Sequence, residues 1–207
     1  MELSKIFENS IDEFEKRVLP QVYVSKGILL NEAFAICALA NYVKCNVIID
    51  SGTHLGRSAQ IFAKYGFQLV YTLDRNLSER AFARLRNHNN ICMIQGEDHD
   101  IIPNILKYHS SERVGLFLDS TKGRNACIFA KELKEQYPQL KMIALHDQCR
   151  QHLLKKYFPK SFCSDDEPFL SKYWYLNKRD IKVVKTITKY QPLLDGTFKG
   201  FVVGISI

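Results

Sequence analysis

The sequence predicts an α/β protein with a doubly wound, mostly parallel sheet, helices on both faces and an antiparallel edge strand. Short apolar runs typical of buried strands alternate with helical patterns between residues 46 and 148. Four of these runs end in an aspartate or in a glycine followed by an acid. Because the carboxyl ends of parallel strands share one edge, we expect a ligand site along that edge.

The chain is expected to form one domain over residues 1–207, since this length suits one sizeable core. The predicted elements divide it into four parts: an N-terminal helical extension (1–45), a ligand-binding core (46–148), an aromatic lid or substrate segment (149–180) and C-terminal edge strands (181–207).

Composition indicates an ordinary globular protein, with 46% hydrophobic and 25% charged residues. The 29 Lys and Arg against 22 Asp and Glu give a net charge of +7, which favours an anionic partner. The six cysteines form no CxxC pair and no signal peptide is evident, so we expect reduced thiols and a cytoplasmic location. The apolar stretch 27–43 is interrupted by Asn31, Glu32 and Asn41, which suits a packed helix and not a membrane span.

Helical spacing of apolar residues predicts a first helix over 3–18, ended by Pro20. It would cover the pocket or contact a second copy in a homodimer. Further helices are predicted over 29–43, over 57–65 up to Gly66, and from Arg124 to Tyr137. Strands after the first are predicted over 67–73, 91–95, 114–118 and 141–145.

The first predicted strand, Val47 to Ile49, runs into the turn Ile48-Asp-Ser-Gly-Thr-His-Leu-Gly-Arg-Ser58. Gly52 and Gly56 allow a tight turn and close backbone approach of a ligand at a helix N-terminus. His54 interrupts the GxGxxG pattern of dinucleotide folds, so a cationic nucleoside without phosphates fits better. The alternative is an ordinary strand-to-helix turn.

Asp74 ends the second predicted strand, where an acid can hold a ribose diol. It could instead cap the next helix. Asn76 and Glu79 form a predicted capping box there, which would leave Asp74 for a ligand.

The segment from Arg150 to Asp180 is rich in aromatic residues, and such a long irregular segment is typical of lids. The alternative is a surface excursion that its aromatic side chains anchor. Residues 181–187 and 200–207 are predicted to pair antiparallel at the sheet edge, with Asp195-Gly196 in the turn between them.

The motifs between Val47 and Gln148 resemble those of class I S-adenosylmethionine (SAM)-dependent methyltransferases, especially metal-dependent O-methyltransferases of the catechol and sugar types. The resemblance implies a Rossmann-like methyltransferase sheet, SAM as cofactor, assistance by Mg²⁺, and a small-molecule or sugar hydroxyl as acceptor. Together with the strand-end pattern, it predicts a cofactor site comprising Asp50, Gly52, Thr53, His54, Gly56, Ser58, Asp74, Arg75, Gly96, Glu97, Asp98, His99 and Asp119.

The segments after the fourth and fifth strands, Asp119-Ser-Thr-Lys122 and His146-Asp-Gln148, resemble the catalytic and metal-ligand segments of the same enzymes. The resemblance implies Asp119, Asp147 and Gln148 as metal ligands and Lys122 as the base, with Asp119 and Asp147 in the catalytic set. Oxygen ligands suit Mg²⁺, which would activate and orient a hydroxyl. The alternative for the two aspartates is an ion pair with Lys122 or Arg124.

Two other functions stay open at this point. A nucleic-acid methyltransferase would use a basic stripe with stacking aromatic residues, which the lysines of the aromatic segment and Arg179 could provide. A non-catalytic SAM-binding module would keep the cofactor site without turnover.

Overall fold

The computed structural model describes residues 3–21, 27–147, 151–163, 167–179 and 204–207. Within these residues, helices and strands alternate from β1 to α6, as the sequence predicts. The helices are α1 (Leu3–Val18), α2 (Leu30–Tyr42), α3 (Arg57–Tyr65), α4 (Glu79–Leu85), α5 (Asp98–Tyr108), α6 (Gly123–Gln136), α7 (Gln151–Tyr157) and α8 (Tyr175–Lys178), with a 3-10 helix at Pro168–Trp174. The strands are β1 (Val47–Ser51), β2 (Leu69–Asp74), β3 (Ile91–Gln95), β4 (Val114–Leu118), β5 (Leu140–Leu145), β6 (Phe162–Cys163) and β7 (Gly204–Ser206).

The sheet has the strand order β3-β2-β1-β4-β5-β7-β6. Strands β1 to β5 are parallel, and β7 pairs antiparallel with both β5 and β6. The antiparallel strand predicted near the C-terminus is therefore present, but among the described strands it lies between β5 and β6 and not at the edge. The predicted strand over 181–187 and the turn at 195–196 lie outside the described residues.

The order of strands reverses between β1 and β4, the first two neighbours that are not consecutive along the chain in the parallel part. In open α/β sheets, ligands bind at the carboxyl ends of the strands beside such a point. The loops after β1 and β4 are in close contact there, because the amide of Asp119 donates to the Ser51 carbonyl at 2.8 Å. The fold thus provides a crevice at the edge that the sequence predicts.

Two apolar cores cover the two faces of the sheet. One contains α1, α2, α3 and the segment with the 3-10 helix and α8, and the other contains α5, α6 and part of α7. The apolar face of α1, including Phe7 and Phe14, is buried against Phe34 of α2. The apolar face of α1 therefore packs in the protein's own core. A dimer contact through α1, which stays a prediction, would have to use the other faces of the helix.

The aromatic segment is folded in its described parts. Tyr173 is 4% exposed, and its ring lies 4.8 Å from that of Phe34 and 6.3 Å from that of Phe7. Asn177 exchanges hydrogen bonds with Asn31 at the start of α2. Residues 168–179 are thus anchored on α1 and α2, as the second of the two alternatives for this segment describes, whereas a lid over the acceptor stays a prediction for the residues before them.

One local expectation was wrong, and the helix after β3 was not predicted. The helix after β2 is capped by Ser78, whose Oγ accepts from the Ala81 amide at 3.1 Å, and not by a box of Asn76 and Glu79. The segment after β3 is helical from Asp98, although Pro103 lies inside α5. Among the described residues, no helix is both long and apolar enough to span a membrane.

Candidate functional site

A cleft of about 530 Å³ lies at the carboxyl edge of the parallel strands. Each of the strands from β1 to β5 contributes residues from its end or from the loop that follows it. The lining residues are Gly52, His54, Asp74, Arg75, Gly96, Glu97, Asp98, His99, Asp119, Ser120, Thr121, Lys122, His146 and Asp147.

The turn after β1 needs glycine at its first position. Gly52 has φ +104°, and a Cβ there would lie 3.1 Å from the Ser120 amide nitrogen. The Gly52 and Thr53 amides both donate to the Leu73 carbonyl of β2, at 2.9 and 3.1 Å. The turn is therefore held against β2 and β4, and its backbone forms the floor of the cleft.

Asp74 lines the cleft, but its carboxylate also organises the loops. Oδ2 accepts from the His54 amide at 2.9 Å, and Oδ1 accepts from the Asn76 amide at 3.2 Å. Asp74 is therefore not left for a ligand alone, as the predicted capping box implied. A carboxylate has about four acceptor sites, so Asp74 retains capacity for a ligand hydroxyl.

Asp98 stands at the start of α5 and is held by two hydroxyl groups. Ser51 Oγ donates to Asp98 Oδ2 at 2.8 Å, and Ser120 Oγ donates to the same oxygen. Beside it the ring of His99 packs on Phe129 with centroids 4.1 Å apart. These contacts place a fixed acid and an imidazole ring packed on Phe129 on the β3 side of the cleft.

The opposite side of the cleft carries the charged groups of β4 and β5. Lys122 Nζ contacts the Asp119 carboxylate and lies 2.9 Å from Asp147 Oδ2. His146 Nδ1 lies 2.9 Å from Asp119 Oδ1 and 3.4 Å from Asp147 Oδ1. Two cationic side chains and two carboxylates therefore form one network at the strand tips.

The pKa values in this network follow from burial and from these contacts. Burial alone would lower the pKa of His146, but hydrogen bonds and charge interactions with Asp119 and Glu32 raise it to about 10. Burial alone would raise the pKa of Asp119, but His146 and Lys122 outweigh it and lower that pKa. The structure therefore favours an imidazolium beside an ionised Asp119.

No protein-family model and no curated protein matches the chain. Among solved structures, it resembles a Klebsiella pneumoniae protein provisionally described as an O-methyltransferase, with 12% identity and a TM-score of 0.50, over 97% of this chain and 88% of that one. The chain has a Rossmann-like methyltransferase fold. An O-methyltransferase from Streptomyces achromogenes, TomG, solved with SAM, covers the same shares at 15% identity and a TM-score of 0.49.

The methyltransferase fold brings together most of the cofactor residues that the sequence predicts. Nine of the thirteen line the cleft, and the exceptions are Asp50, Thr53, Gly56 and Ser58. Gly56 serves packing, because a Cβ there would lie 2.9 Å from the Leu85 side chain of α4. The first glycine of the turn thus belongs to the cleft and the second to the contact between two helices.

Asp50, Thr53 and Ser58 form a buried polar group beneath the cleft. Thr72 Oγ1 donates to Asp50 Oδ2 at 2.7 Å and also lies 2.7 Å from Thr53 Oγ1. Burial raises the pKa of Asp50 to about 7, although the hydroxyl groups of Thr72 and Ser58 oppose that rise. These residues support the turn from below and do not face the cleft.

All three predicted catalytic residues lie within one network, but the predicted metal set changes. Asp119, His146 and Asp147 present ligand atoms within 4.8 Å of one another, whereas Gln148 lies outside the described residues. His146 was absent from the predicted site. Its place between an apolar strand and Asp147 in the sequence was a usable signal, because a histidine at a strand tip shares the same edge.

Proposed function

We propose that the protein is a SAM-dependent methyltransferase that transfers a methyl group to a hydroxyl of a small molecule or sugar. The observation that carries the proposal is the cleft beside the reversal of strand order, with a fixed acid on one side and a charged network on the other. Such a cleft can hold a donor and an acceptor in contact, which is the main requirement of an in-line displacement.

The cofactor would lie across the ends of β1, β2 and β3. Asp74 would accept hydrogen bonds from the ribose hydroxyls, and Asp98 with His99 would face the adenine. Gly52 would allow the backbone of the turn to approach the amino acid part of the cofactor. This arrangement leaves the reacting methyl group on the side of Asp119 and Lys122.

The acceptor hydroxyl would lie beside Lys122. In the transfer its oxygen bonds to the methyl carbon, the carbon–sulfur bond breaks towards sulfur, and the hydroxyl proton leaves to a base. An ammonium between two carboxylates is stabilised by them and cannot accept that proton. Lys122 can act as the base only where another cation neutralises Asp119 and Asp147.

The residues present fit such a cation. Oδ1 of Asp147 is buried and accepts no hydrogen bond from the described residues, and Asp147 has φ +56°, which is unusual for a residue other than glycine. Asp119 and Asp147 would hold a divalent ion such as Mg²⁺. When bound, that ion would lower the pKa of the acceptor hydroxyl and orient it.

Methyl transfer from SAM labelled in its methyl group tests the proposal. Catechols, sugars and RNA serve as acceptors, each with Mg²⁺ or with excess chelator. We expect label in a hydroxyl compound, only with Mg²⁺. Label in RNA alone would favour the nucleic-acid alternative, SAM binding without transfer to any acceptor would favour a binding module, and full turnover in chelator would refute the metal.

The structure weakens the basic stripe on which the nucleic-acid alternative depended. Lys172 Nζ is 2.7 Å from Glu8, and Arg179 is 3.6 Å from Glu15, so acids of α1 neutralise both. Lys155, Lys156 and Lys160 remain exposed. A small-molecule acceptor therefore remains the better-supported proposal.

A further inference from the structure

A buried chain of contacts connects α2 to the charged network of the cleft. Glu32 is 2% exposed and His146 is 4% exposed. Glu32 Oε2 lies 3.4 Å from His146 Nε2, and the other ring nitrogen, Nδ1, lies 2.9 Å from Asp119 Oδ1. The imidazole thus lies between an acid on a distant helix and the aspartate at the tip of β4.

The orientation of the His146 ring is fixed from several sides. Its backbone amide donates to the Leu118 carbonyl at 3.1 Å, and the ring of Phe117 packs edge-on with centroids 5.7 Å apart. In the described part of the chain, charged groups that face the ring include Glu32, Asp119 and Asp147. Of these, only Glu32 comes from the helical layer and contacts Nε2.

A purely structural role does not account for a glutamate at this position. Oε2 of Glu32 also accepts from the Leu29 amide at 2.9 Å, which caps α2. A glutamine could provide that cap equally well. Burying a carboxyl group is costly, and apolar replacements of buried ionic groups are often neutral or stabilising. The cap alone therefore does not explain why the side chain is a carboxylate, whereas the contact with His146 does.

We propose that Glu32 is a positioning residue, which holds the His146 imidazole so that Nδ1 fixes the Asp119 carboxylate at the cleft. The proposal rests on the proposed function, because it assigns Asp119 to the side where the acceptor binds. Without Glu32, Nε2 loses the carboxylate that faces it, and the ring is then held less firmly against Asp119. Asp119 then keeps Lys122 as a partner but loses its fixed direction.

The test compares two variants at the start of α2 in the full-length protein. Glu32→Gln keeps the side-chain length and, through its amide oxygen, the cap. It removes the negative charge that faces His146 Nε2. Asn31→Ala, at the neighbouring position, is the matched control: it removes the side-chain hydrogen bond that Asn31 Oδ1 accepts from Asn177 and leaves His146 untouched. Thermal unfolding of both variants confirms that they fold.

The first measurement is the ¹H–¹⁵N spectrum of the histidine side chains in protein labelled with ¹⁵N-histidine, recorded at one pH. Glu32→Gln should shift both ring nitrogens of His146, and Asn31→Ala should shift neither. The second is methyl transfer with catechol as the acceptor. Glu32→Gln should lower kcat about 10- to 100-fold, with KM and the SAM affinity within about twofold, as loss of an outer partner does.

The pathway through His146 is tested by combining Glu32→Gln with His146→Gln. If Glu32 acts through the imidazole, adding Glu32→Gln to His146→Gln should lower kcat less than about twofold further. Unchanged His146 nitrogen signals in Glu32→Gln, or effects of the two changes that multiply, would overturn the proposal. Absence of SAM binding by the wild-type protein would instead refute the proposed function, and the spectra would still decide the role of Glu32.

Discussion

At the scale of single residues, Lys122 is the side chain whose role is easiest to isolate. It contacts the carboxylates of Asp119 and Asp147 across neighbouring strand tips. We expect Lys122→Ala to lower the rate of methyl transfer by about 10²- to 10⁴-fold, as loss of a general base does. The affinity for SAM should stay within about twofold, because Asp74 and Asp98 lie on the other side of the cleft.

The control for this change is Lys131→Ala. Lys131 lies on α6, outside the cleft, and pairs with Glu135 at 3.5 Å. Lys131→Ala should leave the rate of methyl transfer and the affinity for SAM unchanged. Steady-state kinetics and calorimetry measure the two effects, and a Lys122→Ala protein with the wild-type rate would remove the base from the proposed mechanism.

Asp50 gives a prediction about stability and pH. Because burial raises its pKa to about 7 in the folded protein, the folded state binds a proton that the unfolded state, with a pKa near 3.9, has already released. The contribution of Asp50 to the free energy of unfolding therefore falls as pH rises from about 4 to 7, by about 1.4 kcal/mol per pH unit, and is level above 7.

Asp50→Asn should remove this slope. The difference in stability between Asp50→Asn and wild type should thus grow in favour of the variant from pH 4 to pH 7. Urea unfolding at several pH values measures it, with Asp100→Asn on the exposed side of α5 as the control. A difference that is constant across this range would show that Asp50 does not take up the proton.

Most of the site residues that were predicted correctly from the sequence are acids at the ends of predicted strands. Asp74, Asp98, Asp119 and Asp147 reach one cleft because parallel strands share an edge. The contact between Glu32 and His146 was not predictable, since it joins residues 114 positions apart through the packing of α2 on the sheet. Local spacing contains no information on such a contact.

At the scale of elements, the segment with the 3-10 helix and α8 gives a test of the two alternatives for the aromatic segment. Tyr173 is packed between Phe34 and Phe7. Tyr173→Ala should lower the free energy of unfolding by about 3 kcal/mol, in the range for a buried aromatic residue. Tyr175→Ala, at a residue that is 39% exposed, should cost less than about 1 kcal/mol.

Chemical unfolding of the two variants gives these values. Equal, small losses would contradict the anchoring of residues 168–179 on α1 and α2. Partial digestion with and without ligands would then be needed to test this segment as a lid.

Element boundaries were predictable where a single signal dominates. Pro20 and Gly66 end their helices as expected, and the apolar runs predict all five parallel strands within about two residues. The start of α4 was wrong because Asn76 and Ser78 can both act as the cap and only the backbone conformation decides between them. No helix was predicted for α5, which contains Pro103, a residue type that ends many helices.

At the scale of the whole molecule, the order of the strands determines where the ligand is expected to bind. The reversal of strand order between β1 and β4 sets the position of the crevice. The alternation of strands and helices, with the acids at the strand ends, predicted that the site lies at the carboxyl edge of the sheet. The place of β7 between β5 and β6 was not predictable, because strands of two or three residues have little hydrophobic pattern.

The central claim is that SAM binds in this cleft with its ribose on Asp74, and calorimetric titration with SAM tests it most directly. The wild-type protein should bind SAM at one site, and Asp74→Ala should weaken binding at least tenfold, since hydrogen bonds to a charged acceptor each contribute about 1.5–3 kcal/mol. Asp100→Ala, on the same edge but outside the cleft, should bind as wild type does. Equal affinity of Asp74→Ala and wild type, or no binding by either, would contradict the account.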